Sequence, residues 1–243
     1  MAELPGTTLA GRIALVTGAS RGIGAATAVA LAQLGAHVVL VARTQGGLEA
    51  TDDAIRAVGG TATLLPLDLR DGEKLDTIGP SLFERFRRLD ILVSNAAVMG
   101  RVTPAPHIDL RDWNEALAVN TTAALRLIRT CAPLLLAAEA GRALFLTSRV
   151  VLRPTAYFGI YGATKAAHHH LVLAWAEETR NTRLRVNLVD PGSVATDIRT
   201  GAFPGEDRST MPKPGDIAPG IAALCLEAEA RHGEVIRVGP IPL

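Results

Sequence analysis

Apolar residues along the chain fall into short runs of strand length that alternate with longer stretches of helical periodicity. Residues 12–17 (RIALVT), 37–42 (HVVLVA), 61–68, 90–95 (DILVSN), 142–148 (RALFLTS), 185–190 (RVNLVD) and 234–238 are the expected strands. Helices are expected between them over 22–34, 45–58, 72–87, 110–137, 159–179 and 217–229. The strands read as continuous Val, Ile and Leu instead of alternating apolar and polar positions, as strands buried on both faces do. Strand–helix alternation of this kind predicts an α/β fold: one parallel sheet with helices on both sides and right-handed crossovers. No break in composition marks a second domain, so 1–243 reads as one unit. The least regular stretch is 197–214, which holds Pro204, Gly205, Pro212 and Pro214.

Composition adds exclusions. The chain is 48% hydrophobic but only 4% aromatic, so small aliphatic side chains must fill the core. With 25 basic and 24 acidic residues the net charge is +1, which excludes a nucleic-acid or membrane partner held by charge. No apolar run reaches the roughly 18 residues of a membrane span, and the polar stretch Met1 to Thr8, with Pro5 and Gly6, does not read as a signal peptide. Cys131 and Cys225 lie in apolar helical stretches, so no disulfide framework is expected and a reducing cytoplasm suits the chain.

The first candidate chemistry is a glycine turn, Thr17-Gly18-Ala19-Ser20-Arg21-Gly22-Ile23-Gly24, between the first strand and first helix. Glycines there let backbone approach a ligand, and the helix N-terminus offers free N–H groups to a pyrophosphate. The spacing is G-x-x-x-G-x-G, not the commoner G-x-G-x-x-G. Gly18, Ser20 and Gly22 also spell G-x-S-x-G, the nucleophile elbow of α/β-hydrolases. An elbow needs several strands before it and a histidine on a later strand end. Only eleven residues precede this first strand, and none of His107, His168, His169, His170 or His232 stands at such a loop with a carboxylate.

The cofactor is indicated by a missing acid. A site for NAD usually ends its second strand with Asp or Glu, which grips the ribose hydroxyls. No acidic residue lies between Glu3 and Glu49; Ala42 and Arg43 stand at that place, with Arg21 in the glycine turn. Guanidinium groups without a carboxylate suit a 2′-phosphate, so NADP(H) is expected in preference to NAD(H).

Of the two tyrosines, Tyr157 and Tyr161, only Tyr161 has a lysine four residues on, Lys165. That spacing puts both side chains on one helix face. A free phenol titrates near pH 10, and a fixed positive charge beside it is expected to lower that value. Tyr161 is then a candidate general acid and base at a carbonyl oxygen.

TGASRGIG, Asn120 in AVN, Ser148 thirteen residues before Tyr161, YGATK, Asp190-Pro191-Gly192-Ser193-Val194-Ala195-Thr196 and Ser94-Asn95-Ala96-Ala97 together resemble the short-chain dehydrogenase/reductase family. The resemblance runs through essentially the whole chain, in order. It implies a Rossmann-type doubly wound sheet of seven strands in the order 3-2-1-4-5-6-7 and a catalytic tetrad of Asn120, Ser148, Tyr161 and Lys165. Ser148 would hydrogen-bond the substrate carbonyl, Tyr161 would exchange the proton, Lys165 would hold the nicotinamide ribose, and Asn120 would position a relay water. Gly18, Ser20, Arg21, Gly22, Ile23, Gly24, Arg43, Asp68, Leu69, Asn95, Ala96, Pro191, Gly192, Val194 and Thr196, with Tyr161 and Lys165, would contact the cofactor. Asp68 would meet the adenine, Asn95 the adenosine side, and Val194 and Thr196 the carboxamide. Val98, Met99, Val150, Tyr157 and Phe158, with Ser148, are the expected walls of the substrate pocket. The activity implied is carbonyl–alcohol interconversion on a small molecule, in a homodimer or homotetramer. A cofactor sensor of the same fold is the alternative, and a Ser20 hydrolase the third reading.

Ser94 and Ala97 depart from the family's NNAG, and the chain ends Ile241-Pro242-Leu243 without the usual glycine-rich stretch, which favours a dimer over a tetramer. The 197–214 loop is short for a lid, so an open site is expected; its pattern is similar to a bacterial subgroup of the family. His168-His169-His170 is not read as a metal site, because adjacent helical residues point about 100° apart. It is read as a helix face at a subunit contact. Trp113 and Trp175 read as packing residues, and Arg149 and Arg153 as surface charge or contacts to an acidic substrate.

Overall fold

The computed structural model, which describes residues 8–239, contains the strands β1 (Ile13–Thr17), β2 (His37–Ala42), β3 (Thr61–Pro66), β4 (Ile91–Ser94), β5 (Arg142–Leu146), β6 (Arg185–Asp190) and β7 (Val235–Arg237). They form one parallel sheet in the order β3-β2-β1-β4-β5-β6-β7. Most of the polar N-terminal stretch and the Ile241-Pro242-Leu243 ending lie outside the described residues.

The uniformly apolar strands have a direct cause. Ala14 and Val16 of β1, Val38 and Leu40 of β2, and Ile91 and Val93 of β4 face one core. Ile13 and Leu15, Val39 and Val41, and Leu92 face the other. Helices α1 (Gly22–Gln33), α2 (Gln45–Ala57) and α9 (Pro214–Ala223) cover the first face through Leu31, Leu48 and Ile221. Helices α4 (Ile78–Phe86), α6 (Ala123–Ala137) and α7 (Gly159–Thr179) cover the second through Leu82, Leu127 and Trp175. Cys131 and Cys225 are free and buried, and burial pushes both thiols up to about 12. Among the described residues no helix is long and apolar enough to cross a membrane.

Three helical expectations are corrected. The helix expected over 72–87 is two, α3 (Gly72–Asp76) and α4, parted at Thr77. Pro80 explains the break: its ring forces a helix to start within the preceding turn, where its missing N–H costs nothing. The helix expected over 110–137 is α5 (Leu110–Leu117) and α6 joined by a π-turn, Ala118–Thr122, which carries Asn120. The last helix starts earlier, at Pro214, where the Asp216 carboxylate accepts the Lys213 N–H at 2.7 Å, and ends at Ala223. The 197–214 loop is not wholly irregular either, since Asp197–Ala202 forms the short helix α8.

Candidate active site

β1 lies between β2 and β4, so the chains leaving β1 and β4 diverge and open a crevice beyond their C-terminal ends. A cleft of about 1010 Å³ occupies this crevice and continues past the ends of β5 and β6. Its floor at the β1 end is backbone. Gly18 and Gly22 have φ of 66° and 59°, left-handed values that favour glycine. A Cβ on Gly18 would stand 2.7 Å from Asn95 Nδ2, and one on Gly24 2.3 Å from the Gly18 carbonyl oxygen. Thr17 and Asn95 fasten this turn to β4. Thr17 Oγ1 accepts the Asn95 and Ala96 N–H groups at 3.0 and 3.2 Å, and Asn95 Nδ2 donates to the Thr17 carbonyl at 2.9 Å. From the other side Thr51 of α2 donates to the Ala19 carbonyl at 2.8 Å. Asn95 therefore shapes the turn with its side chain while also lining the cleft.

Helix α1 has no capping side chain and no acidic residue in its first turn. A Cβ on Gly22 would meet only the Thr196 methyl, at 3.7 Å, so the uncapped N–H groups face open room. A pyrophosphate fits that cradle by charge and by space. Beside it, Arg43 follows β2 and lines the cleft; among the described residues it makes no ion pair, though its charge acts on Asp68. Arg21 differs from expectation: it shares its charge with Asp197 of α8, 3.4 Å away. Asp68 is committed to Arg70 at 2.6 Å, and this hydrogen bond holds its carboxyl below the ordinary range.

The chemistry-bearing side chains come from the ends of β5 and α7. Ser148 caps the tight turn Arg149–Val151, and Tyr161 and Lys165 stand on the first turns of α7. Ser148 and Tyr161 line the same wall of the cleft. Burial pushes the Tyr161 phenol up to about 12; the Ser148 hydroxyl opposes that rise and the Asp190 carboxylate adds to it. The expected lowering by Lys165 is absent, and the reason is visible. Lys165 Nζ donates to the Leu146 carbonyl at 2.7 Å, and burial pulls its own ammonium down to about 8. Asn120 is buried. Its Oδ1 accepts the Val98 N–H at 2.8 Å, and Nδ2 donates to the Val98 carbonyl at 2.8 Å and to Thr164 Oγ1 at 2.9 Å. Its amide hydrogens are thus both used within the protein.

The cleft gathers Gly18, Ser20, Arg21, Gly22, Ile23, Arg43, Asp68, Leu69, Asn95, Ala96, Val98, Met99, Ser148, Val150, Phe158, Tyr161, Lys165, Pro191, Gly192, Val194 and Thr196 along its walls. Three expected residues are not among them. Gly24 and Asn120 lie behind the wall, as described. Tyr157 is 58% exposed with φ of 70°, and its carbonyl accepts the Thr103 N–H at 3.1 Å, so it shapes a loop instead of the pocket. The residues that sequence reasoning missed sit on the 197–214 segment. Ile198, Arg199 and Phe203 line the cleft; Phe203 stacks on Phe158 with ring centres 5.5 Å apart, beneath the Arg199 guanidinium. The Arg199–Phe203 spacing of four was the available signal. No histidine lines the cleft, so Ser20 lacks the base an elbow requires. Of the histidine triplet, His168 is buried against Phe145, His169 meets Thr147 Oγ1 at 3.1 Å and His170 is exposed.

Residues 12–207 match the family model described as short chain dehydrogenase. The chain is 34% identical over 211 residues to the uncharacterized oxidoreductase YciK of Escherichia coli strain K12, covering 86% of this chain and 83% of that protein. It is 33% identical over 193 residues to a 3-oxoacyl-[acyl-carrier-protein] reductase of Synechocystis, covering 79% and 78% of the two chains. Among solved structures, a short chain dehydrogenase from Shigella flexneri 2a in complex with NADP superposes with a TM-score of 0.91 at 32% identity, over 96% of this chain and 99% of that one.

Proposed function

This chain belongs to the short-chain dehydrogenase family, and from that premise we propose that it is an NADP(H)-dependent oxidoreductase that interconverts a carbonyl and a secondary alcohol. The observation that carries the proposal is that Ser148, Tyr161 and Lys165 line one cleft with the uncapped N-terminus of α1. NADPH, when bound, supplies the hydride. Gly18, Gly22 and the α1 N–H groups hold its pyrophosphate, and Arg43 answers the 2′-phosphate. The NADP in the Shigella flexneri structure supports the same choice.

Ser148 holds the carbonyl oxygen, and Tyr161 gives it the proton. A phenol pushed up to about 12 keeps its proton at neutral pH, so it stands ready as the acid of carbonyl reduction. Lys165, anchored on the Leu146 carbonyl, would hold the nicotinamide ribose. Asn120 acts as a positioning residue, fixing the Val98 wall to Thr164 of α7. Residues 1–243 work as one domain in the cytoplasm, as a homodimer or homotetramer. The test is NADPH oxidation with a panel of ketones, aldehydes and 3-oxoacyl thioesters. Consumption of NADPH with formation of alcohol is expected. Tight NADPH binding with no turnover on any carbonyl would favour the sensor reading, and tighter NADH binding would overturn the role of Arg43.

A further inference from the structure

The charges along the cleft are mostly answered. Asp68 pairs with Arg70, Asp197 with Arg21, and Arg199 with Glu206. Arg149 and Arg153 also line the cleft, and neither has an ion-pair or hydrogen-bond partner for its guanidinium among the described residues. Among the described residues the carboxylates on the cleft wall are Asp68 and Asp197, both already held. These two arginines are placed with some definition. The Arg153 N–H donates to the Arg149 carbonyl at 3.1 Å, closing one helical turn that begins immediately after Ser148. The turn is 3-10, with three residues to the turn, so side chains four apart leave it on neighbouring sides; what unites these two is the cleft that both line.

Two like charges left unanswered on one cleft wall repel each other. An anion between them turns the repulsion into charge-assisted hydrogen bonds, and the planar guanidinium fork matches a carboxylate or phosphate. Val150 and Phe158 add apolar surface to the cleft that this pair shares with the Tyr161 phenol. We infer that the substrate is an anionic carbonyl compound: a carboxylate or phosphate gripped by Arg149 and Arg153, an apolar spacer, and the carbonyl at Ser148 and Tyr161. The inference rests on the carbonyl reductase reading of the site and adds the substrate class to it.

The experiment compares aliphatic keto acids of increasing chain length with their methyl esters, using NADPH. A second arm compares a 3-oxoacyl-CoA with the same acyl group on N-acetylcysteamine, which separates a carboxylate on the substrate from phosphates on a carrier. In at least one arm the anionic member is expected to have a kcat/KM about tenfold or more above its neutral partner, the size of two exposed charge-assisted contacts. In Arg149→Gln/Arg153→Gln that ratio collapses towards one through KM, and Arg149→Lys/Arg153→Lys restores part of it. The wild-type preference also shrinks with added salt, a readout that needs no variant. A wild-type ratio near one in both arms, or a ratio that survives the double Gln substitution, overturns the inference and leaves the reductase reading standing. No turnover of any carbonyl, anionic or neutral, removes the reading beneath it.

Discussion

At the β1 end of the cleft the ligand surface is backbone, whereas beyond β5 it is side chains carried on loops. The first half is defined by glycines whose missing Cβ atoms make room, and by the Thr17–Asn95 bonds that lock one strand end to the next. The second half is defined by Ser148, Arg149, Arg153, Phe158 and Phe203, none of which lies in a strand. Backbone walls tolerate few sequences and recognise what every dinucleotide shares. Side-chain walls can be changed residue by residue, which is how one fold serves many substrates.

Ser148→Ala acts where the halves meet and removes the hydroxyl proposed to hold the carbonyl oxygen. Reduction is expected to slow about 10²–10³-fold, the usual cost of one such donor, with NADPH affinity within about twofold of wild type. Steady-state kinetics and a fluorescence titration read the two quantities. Gly24→Ala attacks the backbone half alone. Its new Cβ would lie 2.3 Å from the Gly18 carbonyl oxygen and 2.5 Å from Asn95 Nδ2, so the turn must shift. Overpacking of this sort costs about 1–3 kcal/mol, and a fall in NADPH affinity of about tenfold or more should accompany it. Wild-type affinity in this variant would show that the turn is not the binding surface.

Arg43→Ala tests a place where the β1 half depends on a charged side chain. NADPH affinity is expected to fall about tenfold while NADH affinity changes less than about twofold, since only the former carries the phosphate. Equal losses for both would contradict the assignment. The pH profile of reduction sharpens the contrast further. Lys165 is charged below about 8 and neutral above it, so kcat/KM should hold a plateau up to that pH and fall beyond it.

The smallest effect concerns His168, which lies under the cleft and belongs to neither half. Burial first, then the charges of Lys165 and His169, pushes it down to about 2 from 6.5. It stays neutral in the fold but takes a proton below pH 6.5 when unfolded. Stability should therefore fall as pH drops from 6.5 towards 2, by up to about 1.4 kcal/mol per pH unit. In chemical denaturation His168→Leu should flatten that acid limb; an unchanged limb would locate the loss elsewhere.

The contrast between the halves also explains what could be read from the sequence. The strands, and TGASRGIG as a strand-to-helix turn, were readable because burial on both faces and backbone proximity restrict residue types directly; the order of the strands came from the family resemblance. The π-turn at Ala118–Thr122 was not, since nothing in AVNTT distinguishes it from helix; it arises from the bonds of Asn120 to Val98 and Thr164. Spacing placed Lys165 one turn from Tyr161, but its bond to Leu146, nineteen residues away, depends on tertiary packing. The Arg21–Asp197 pair likewise joins opposite ends of the chain, so the local absence of acids near Arg43 could not reveal it. Pro80, by contrast, is a local signal for the break between α3 and α4 that the single helix expected over 72–87 passed over.

The most direct test of the account is Tyr161→Phe, with turnover and NADPH affinity measured on the same preparation. Removing only the hydroxyl should depress carbonyl reduction by about 10²–10⁴-fold, the span of general acid catalysis, and leave NADPH affinity within about twofold. Wild-type turnover in this variant would contradict the account.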